Sequence, residues 1–303
     1  MPLYRSRVLI CGLLFVGLPT LNAQIPAQPP AKPAEALPGI RQIRDVPYVL
    51  GGHERQRLDL YLPAEGGPAR PLVLWVHGGG WSSGDKSGCP AKWLVERGYA
   101  VASIGYRLSG QALYPAQIED CKAAIRFLRA HAAEYSIRPE RIGAWGASAG
   151  GHLVGMLGTT GNIHDFDNGA NLDQSSGVQC VVDWFGPTDF LHYGAVPDLS
   201  LDTLDNAGAK LIGGRITENP EKARRASPIH FVTKDAAPFL IMQGEQDNVV
   251  PAQQSEILDA ALKKAGVEST LKVFPGATHG GPAFTSQSSM KMILDFFDRY
   301  LKK

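Results

Sequence analysis

The chain has 303 residues, a formal net charge of +1, 44% hydrophobic residues and 19% charged ones, an ordinary globular composition with enough chain for a sizeable core. Balanced charge without long basic runs or basic stripes removes the electrostatic case for nucleic acid or an anionic membrane surface as partner. A small or neutral molecule remains.

The first feature in chain order is an export-signal pattern over residues 1–23, in which Arg5 and Arg7 precede an apolar run from Val8 to Leu18 and Ala23 offers a small residue for cleavage. The run is shorter than the roughly 20 residues that span a bilayer, so the pattern predicts release to the periplasm or beyond, without a membrane anchor. Cys11 lies inside the apolar run behind the bulky Ile10, a poor place for lipid attachment. Residues 24–40 are dense in proline and alanine and read as an extended tether. Residues 41–303 read as one domain. Cleavage leaves Cys89, Cys121 and Cys180; an odd number allows at most one disulfide, the alternative being three separate buried thiols.

The domain opens with two amphipathic strands, around Asp45 to Val49 and Arg57 to Leu62, the second alternating polar with apolar residues, which suits a hairpin at a sheet edge. Short apolar runs follow at Leu72 to Val76, Ala100 to Ile104, Ile142 to Trp145, Val178 to Val182, Phe239 to Met242 and Leu271 to Phe274. Such runs suit strands buried on both faces of a parallel sheet. Helical periodicity alternates with them, most clearly over Tyr114 to Ala133, where Ile118, Cys121, Ile125, Leu128 and Ala132 form one stripe, and again over Ala252 to Lys264 and Ser288 to Leu301. The predicted fold class is therefore α/β, a mostly parallel, doubly wound sheet with an antiparallel N-terminal edge hairpin. Ligand sites in such sheets form beyond the C-terminal ends of the strands.

Gly146-Ala147-Ser148-Ala149-Gly150-Gly151 stands between the third parallel strand and an apolar helix, the arrangement that exposes a serine hydroxyl on a strained strand-to-helix turn. The bare pattern occurs a second time at Gly80-Trp81-Ser82-Ser83-Gly84, but a polar turn-like run follows it instead of a helix. His77-Gly78-Gly79-Gly80-Trp81 follows the first parallel strand, Gly244-Glu245-Gln246-Asp247-Asn248 the fifth, and Pro275-Gly276-Ala277-Thr278-His279 the last. A serine hydroxyl is a weak nucleophile at neutral pH, so His279 would take its proton and return it to the leaving group, with Asp247 holding the imidazole's tautomer. Glu245 and Asp183 are competing acids, Asp183 the main reserve. The amides of Gly78 and Gly79, together with that of Ala149, would form an oxyanion hole. Trp81, Tyr106 and Trp184, with Phe185 and Phe190, would supply an aromatic wall for substrate, against the simpler reading that each is core; the insertion between Val182 and Phe239 would arch over the site and carry specificity. His152 and His230 receive no catalytic role. The acidic run from Asp165 to Asp173 misses the spacing of a calcium loop and reads as a solvated loop.

These motifs, together with Tyr114-Pro115-Ala116-Gln117, Asp183-Trp184-Phe185-Gly186-Pro187-Thr188-Asp189 and Ala226-Ser227-Pro228-Ile229, resemble secreted α/β-hydrolase esterases related to bifunctional feruloyl and acetylxylan esterases. Hormone-sensitive-lipase-like esterases and arylformamidases are cousins of that group. The resemblance covers about residues 45–301 and implies an α/β-hydrolase fold and a serine carboxylic ester hydrolase without metal or organic cofactor, acting on a small-molecule or oligosaccharide ester. Ala147 stands where the hormone-sensitive-lipase-like branch usually carries Asp, and that branch's helical N-terminal cap is missing. Acetyl or feruloyl esters of plant polysaccharide are the expected substrates. General short-chain ester hydrolysis, formamide or amide hydrolysis, and a non-catalytic binding protein on the same scaffold are the alternatives.

Overall fold

The computed structural model describes residues 38–193 and 203–303; the export-signal pattern and most of the proline-rich tether lie outside the described residues. Eight strands form one sheet: β1 (Ile40–Pro47), β2 (Arg57–Pro63), β3 (Arg70–Val76), β4 (Ala100–Ile104), β5 (Ile137–Ala147), β6 (Cys180–Trp184), β7 (Phe239–Gly244) and β8 (Ser269–Phe274). Their order is β1-β2-β4-β3-β5-β6-β7-β8. Only β2 runs against the rest, pairing antiparallel with β1 and β4, while every pair from β4 to β8 is parallel. The edge hairpin and the doubly wound parallel sheet of the sequence reading are both present.

The helices are α1 (Ala116–Ala130), α2 (Ala149–Thr159), α3 (Ala207–Ile212), α4 (Pro220–Arg225), α5 (Ala252–Lys264) and α6 (Gln287–Leu301). Parallel strands need crossovers, and helices lie on both faces, so that two apolar layers sandwich the sheet. One layer joins the α1 stripe of Ile118, Cys121, Ile125 and Leu128 to Leu153 and Leu157 of α2 and Leu258 and Leu262 of α5. The other joins Leu94 and Val95 of a short 3-10 helix to Ile293, Phe297 and Leu301 of α6. Cys89, Cys121 and Cys180 are buried free thiols, in line with the separate-thiol alternative.

Two local expectations change. Strand β2 is buried on both faces: Leu58, Leu60 and Leu62 enter one layer and Tyr61 the other. Its one charged residue between them, Asp59, is buried against Lys86 Nζ at 2.9 Å, so its alternation is not amphipathicity toward water; the edge position falls to β1. The acidic run at 165–173 is likewise not simply solvated. The Asp167 side chain is largely shielded, with its Oδ1 2.6 Å from Arg126 Nη1 and its Oδ2 3.7 Å from Lys122 Nζ. Among the described residues no group of three or more His, Cys, Asp or Glu is arranged to hold a metal ion.

Candidate active site

Strand β5 hands over to α2 through Ser148, whose backbone sits at φ 56°, ψ −120°. An L-residue enters that region only under constraint, and the constraint is visible: the Ser148 N–H donates to Trp184 O at 2.8 Å, and a Cβ on Gly150 would lie 2.1 Å from Val76 O. The turn is thus wedged between β3 and β6. Trp81 (φ 55°) and Phe185 (φ 45°), which follow β3 and β6, also have positive φ. Ala149 opens α2, where an N–H has no intrahelical acceptor and the helix dipole favours negative charge.

The glycine run after β3 presses onto this turn. A Cβ on Gly78 would meet Ala147 O at 2.7 Å and Ser148 Cβ at 3.3 Å. Gly79, at φ 110°, has Ser83 O 2.4 Å from where its Cβ would be, so the bend in the run admits only glycine. Ser82, the alternative serine, is exposed in the next turn and hydrogen-bonds back to Gly79 O.

His279 and Asp247 meet on the loops after β8 and β7. His279 Nδ1 lies 2.7 Å from Asp247 Oδ2, and the Asp247 side chain is fully buried. The same oxygen accepts from Gln243 Nε2 at 3.2 Å, while Oδ1 accepts from the N–H groups of Val249 and Val250 at 2.8 and 2.9 Å. Four donors thus converge on one carboxylate and fix its plane. His279 is also packed on the Phe185 ring at 4.5 Å. The two competing acids lie elsewhere: Glu245 accepts from Gly276 N at the surface, and Asp183 is buried beneath the first turn of α2, accepting from Gly186 N at 2.9 Å.

Of the five aromatic wall candidates, Trp81 and Phe190 line a cavity together. Trp81 shares a space of about 100 Å³ with Phe190, Tyr193, Ala207, Ile216 and Val249, between the glycine run and the Asp247 loop. Its indole N–H is engaged by His152 Nδ1 at 3.1 Å, leaving only ring surface for a ligand. Tyr106 is fully buried behind the run, stacked on His77 at 4.3 Å with its hydroxyl on His77 O. Trp184 is packed edge-on to Trp75 and Trp145, its N–H against Met242 Sδ. Both are core residues and not wall, because a ring at or just past a strand end can turn inward as easily as outward. His152 fits its structural reading: it is buried, its Nε2–H donating to Ala226 O at 2.6 Å, which ties α2 to the β6–β7 insertion.

Two polar residues near the site escaped the sequence reading. Gln243 could have been found, since a polar side chain inside the apolar run of β7 needs partners; it braces Asp247 and accepts from Ser255 Oγ at 2.8 Å. Arg55, in the β1–β2 turn, carries no local signal, its partners being 22 to 51 residues away.

Burial gives the site a pH signature. His77 and His152 are pushed down to about 4 by desolvation, and Asp183 is pushed up to about 7 by the same cause. From pH 6.5 down to 4 the unfolded chain binds two more protons at the histidines than the folded one, and stability falls; over about pH 4 to 7 the folded state holds the extra proton at Asp183, so stability falls as pH rises. Two against one leaves a net loss of about 1.4 kcal/mol per pH unit on acidification below 6.5 and a plateau near neutrality. Denaturant unfolding at pH 4.5, 5.5, 6.5 and 7.5 should show stability rising to about pH 6.5 and then levelling. Asp183→Asn removes the opposing proton and should steepen the loss below 6.5 to about 2.7 kcal/mol per pH unit; an unchanged slope in the variant would refute the assignment.

The BD-FAE family model matches residues 58–262. The esterase LipQ of Mycobacterium tuberculosis is 31% identical over 246 residues, 78% of this chain and 57% of LipQ. The chain spans about half the length of the curated relatives it matches. Among solved structures, a truncated carbohydrate esterase from gut microbiota is 35% identical with a TM-score of 0.81, covering 87% of this chain and 97% of that one. An acetyl ester-xyloside bifunctional hydrolase from Caldicellulosiruptor lactoaceticus is 25% identical with a TM-score of 0.67, covering 80% and 87%. The eight-stranded, mostly parallel sheet is shared with esterase structures, and the chain belongs to the BD-FAE family.

Proposed function

We propose that the protein is an exported serine carboxylic ester hydrolase acting on short-chain acyl esters of plant polysaccharide, acetyl esters foremost. The observation that carries this reading is the His279–Asp247 hydrogen bond of 2.7 Å on the loops after β7 and β8, at the same C-terminal edge of the sheet as the strained Ser148 turn and the glycine run. Ser148 attacks the ester carbonyl while His279 takes its proton; the carbonyl oxygen gathers charge against the amides of Gly78, Gly79 and Ala149. The tetrahedral adduct collapses to an acyl-enzyme as His279 returns the proton to the departing alcohol, and water repeats the sequence to release the acid. Export rests on the Arg5, Arg7 and Val8 to Leu18 pattern.

The preference for a short acyl group comes from the cavity beside Trp81. Its volume of about 100 Å³ is below the roughly 150 Å³ of an engineered cavity that takes up benzene, which favours a short acyl chain over a feruloyl group. Similarity to a carbohydrate esterase and to an acetyl ester-xyloside hydrolase supports the sugar-linked alcohol. kcat/KM measured on acetylated xylo-oligosaccharide, methyl ferulate, p-nitrophenyl acetate and p-nitrophenyl octanoate, with Ser148→Ala as the blank, tests the reading. Acetyl esters should exceed ferulate and octanoate by about 100-fold, the scale of about 3 kcal/mol of lost fit. Preference for ferulate would replace the acyl assignment, and formamide or amide turnover in place of ester turnover would replace the reaction class.

A further inference from the structure

We propose that Arg55 is a positioning residue of the oxyanion site, acting through His77 to set the direction in which the Gly78–Gly79 peptide presents its N–H. The inference rests on the ester-hydrolase reading, since only that reading gives the glycine run a charge to stabilise.

Arg55 Nη2 lies 3.2 Å from His77 Nε2. A guanidinium has donors and no acceptor, so Nε2 must carry the lone pair and the ring proton must sit on Nδ1. That nitrogen is 2.7 Å from Gly78 O, and its N–H therefore donates to the Gly78 carbonyl. In a planar trans peptide the C=O of one residue and the N–H of the next point to opposite sides. Pinning the Gly78 carbonyl to the His77 ring turns the Gly79 N–H away from that ring, as an oxyanion donor on this loop requires. With the other tautomer, Nδ1 would face the Gly78 oxygen lone pair to lone pair and the peptide would have to rotate.

The remaining contacts keep this arrangement from relaxing. The His77 ring is stacked on Tyr106 at 4.3 Å and 14°, and the Tyr106 hydroxyl donates to His77 O at 2.9 Å. Arg55 Nε donates to Tyr106 O at 2.9 Å and Nη2 to Gly84 O at 2.7 Å; a Cβ on Gly84 would lie 2.4 Å from Gly78 O. One side chain from the edge hairpin thus binds the far side of the glycine run at His77, Gly84 and Tyr106. Burial holds the imidazole neutral, lowered to about 4, so the tautomer persists across the working pH range.

The test compares Arg55→Met, His77→Asn and the double variant on p-nitrophenyl acetate, and measures inhibition by an alkyl trifluoromethyl ketone, whose serine adduct carries an oxyanion. Arg55→Met should lower kcat roughly tenfold to a hundredfold, part of the 10²–10³ that deleting an oxyanion donor costs, with KM within about twofold, and should weaken the ketone by the same factor. His77→Asn removes the ring through which Arg55 acts, so it should lower kcat by itself and make a subsequent Arg55→Met change cost less than about threefold. If Arg55→Met does not fold, Arg55→Gln is read the same way. Unchanged ketone affinity, or additive losses in the double variant, would overturn the positioning role. Full activity in Ser148→Ala would instead bring down the ester-hydrolase reading itself.

Discussion

Replacing Ser148 with alanine is expected to lower kcat on p-nitrophenyl acetate by on the order of 10⁵–10⁶-fold, the scale seen when the nucleophile of a serine hydrolase is removed while binding groups remain. The folded state should be nearly unaffected, because alanine at φ 56° is strained much as serine is and the wedge between β3 and β6 is built from backbone. A fluorophosphonate should label one residue, Ser148, and the label should vanish in the variant. Ser82 supplies the control: it has the same flanking glycines, yet it is exposed in a turn, with no helix following it and its hydroxyl 3.4 Å from Gly79 O. Ser82→Ala should stay within about twofold of the parent chain. Labelling at Ser82, or turnover surviving in Ser148→Ala, would refute the assignment.

Much of this arrangement was legible because strand ends are legible. Runs such as Leu72 to Val76 and Phe239 to Met242 are too apolar and too short to be anything but buried strands, and the polar or glycine-rich segments directly after them fall at one edge of a parallel sheet by topology alone. That logic locates Ser148, Asp247 and His279 without reference to side-chain packing. It fails where a side chain's direction decides its role. Tyr106 follows β4 and Trp184 ends β6, but both turn into the core, and nothing in their neighbours distinguishes them from Trp81. It fails again for Asp59 and Asp167, whose partners Lys86 and Arg126 are separated from them along the chain. Arg55 combines both difficulties, a solvent-type residue in a turn whose three partners meet only in the folded chain.

Asp247→Asn is expected to lower kcat by about 10⁴-fold with the fold intact, while Asp183→Asn should change it by less than about threefold. The reason lies in the four donors on Asp247. The N–H groups of Val249 and Val250 are fixed by the backbone and require an acceptor at Oδ1, so an asparagine must keep its oxygen there and turn its NH2 toward His279 Nδ1. Two donors cannot face each other at 2.7 Å; the imidazole must move its proton to Nε2, and the nitrogen that should accept the serine proton then has no lone pair. The substitution inverts the tautomer and leaves the shape of the site unchanged. At Asp183 the only contact described is with Gly186 N, and burial already favours an uncharged group, pushed up to about 7, so an amide is close to the native species. The two variants separate the roles by kinetics, and proton NMR gives an independent readout: a far-downfield imidazole N–H resonance should persist in Asp183→Asn and disappear in Asp247→Asn. A large kinetic loss in Asp183→Asn alone would transfer the acid's role to the end of β6, and the geometry of His279 against Asp247 would then need another purpose.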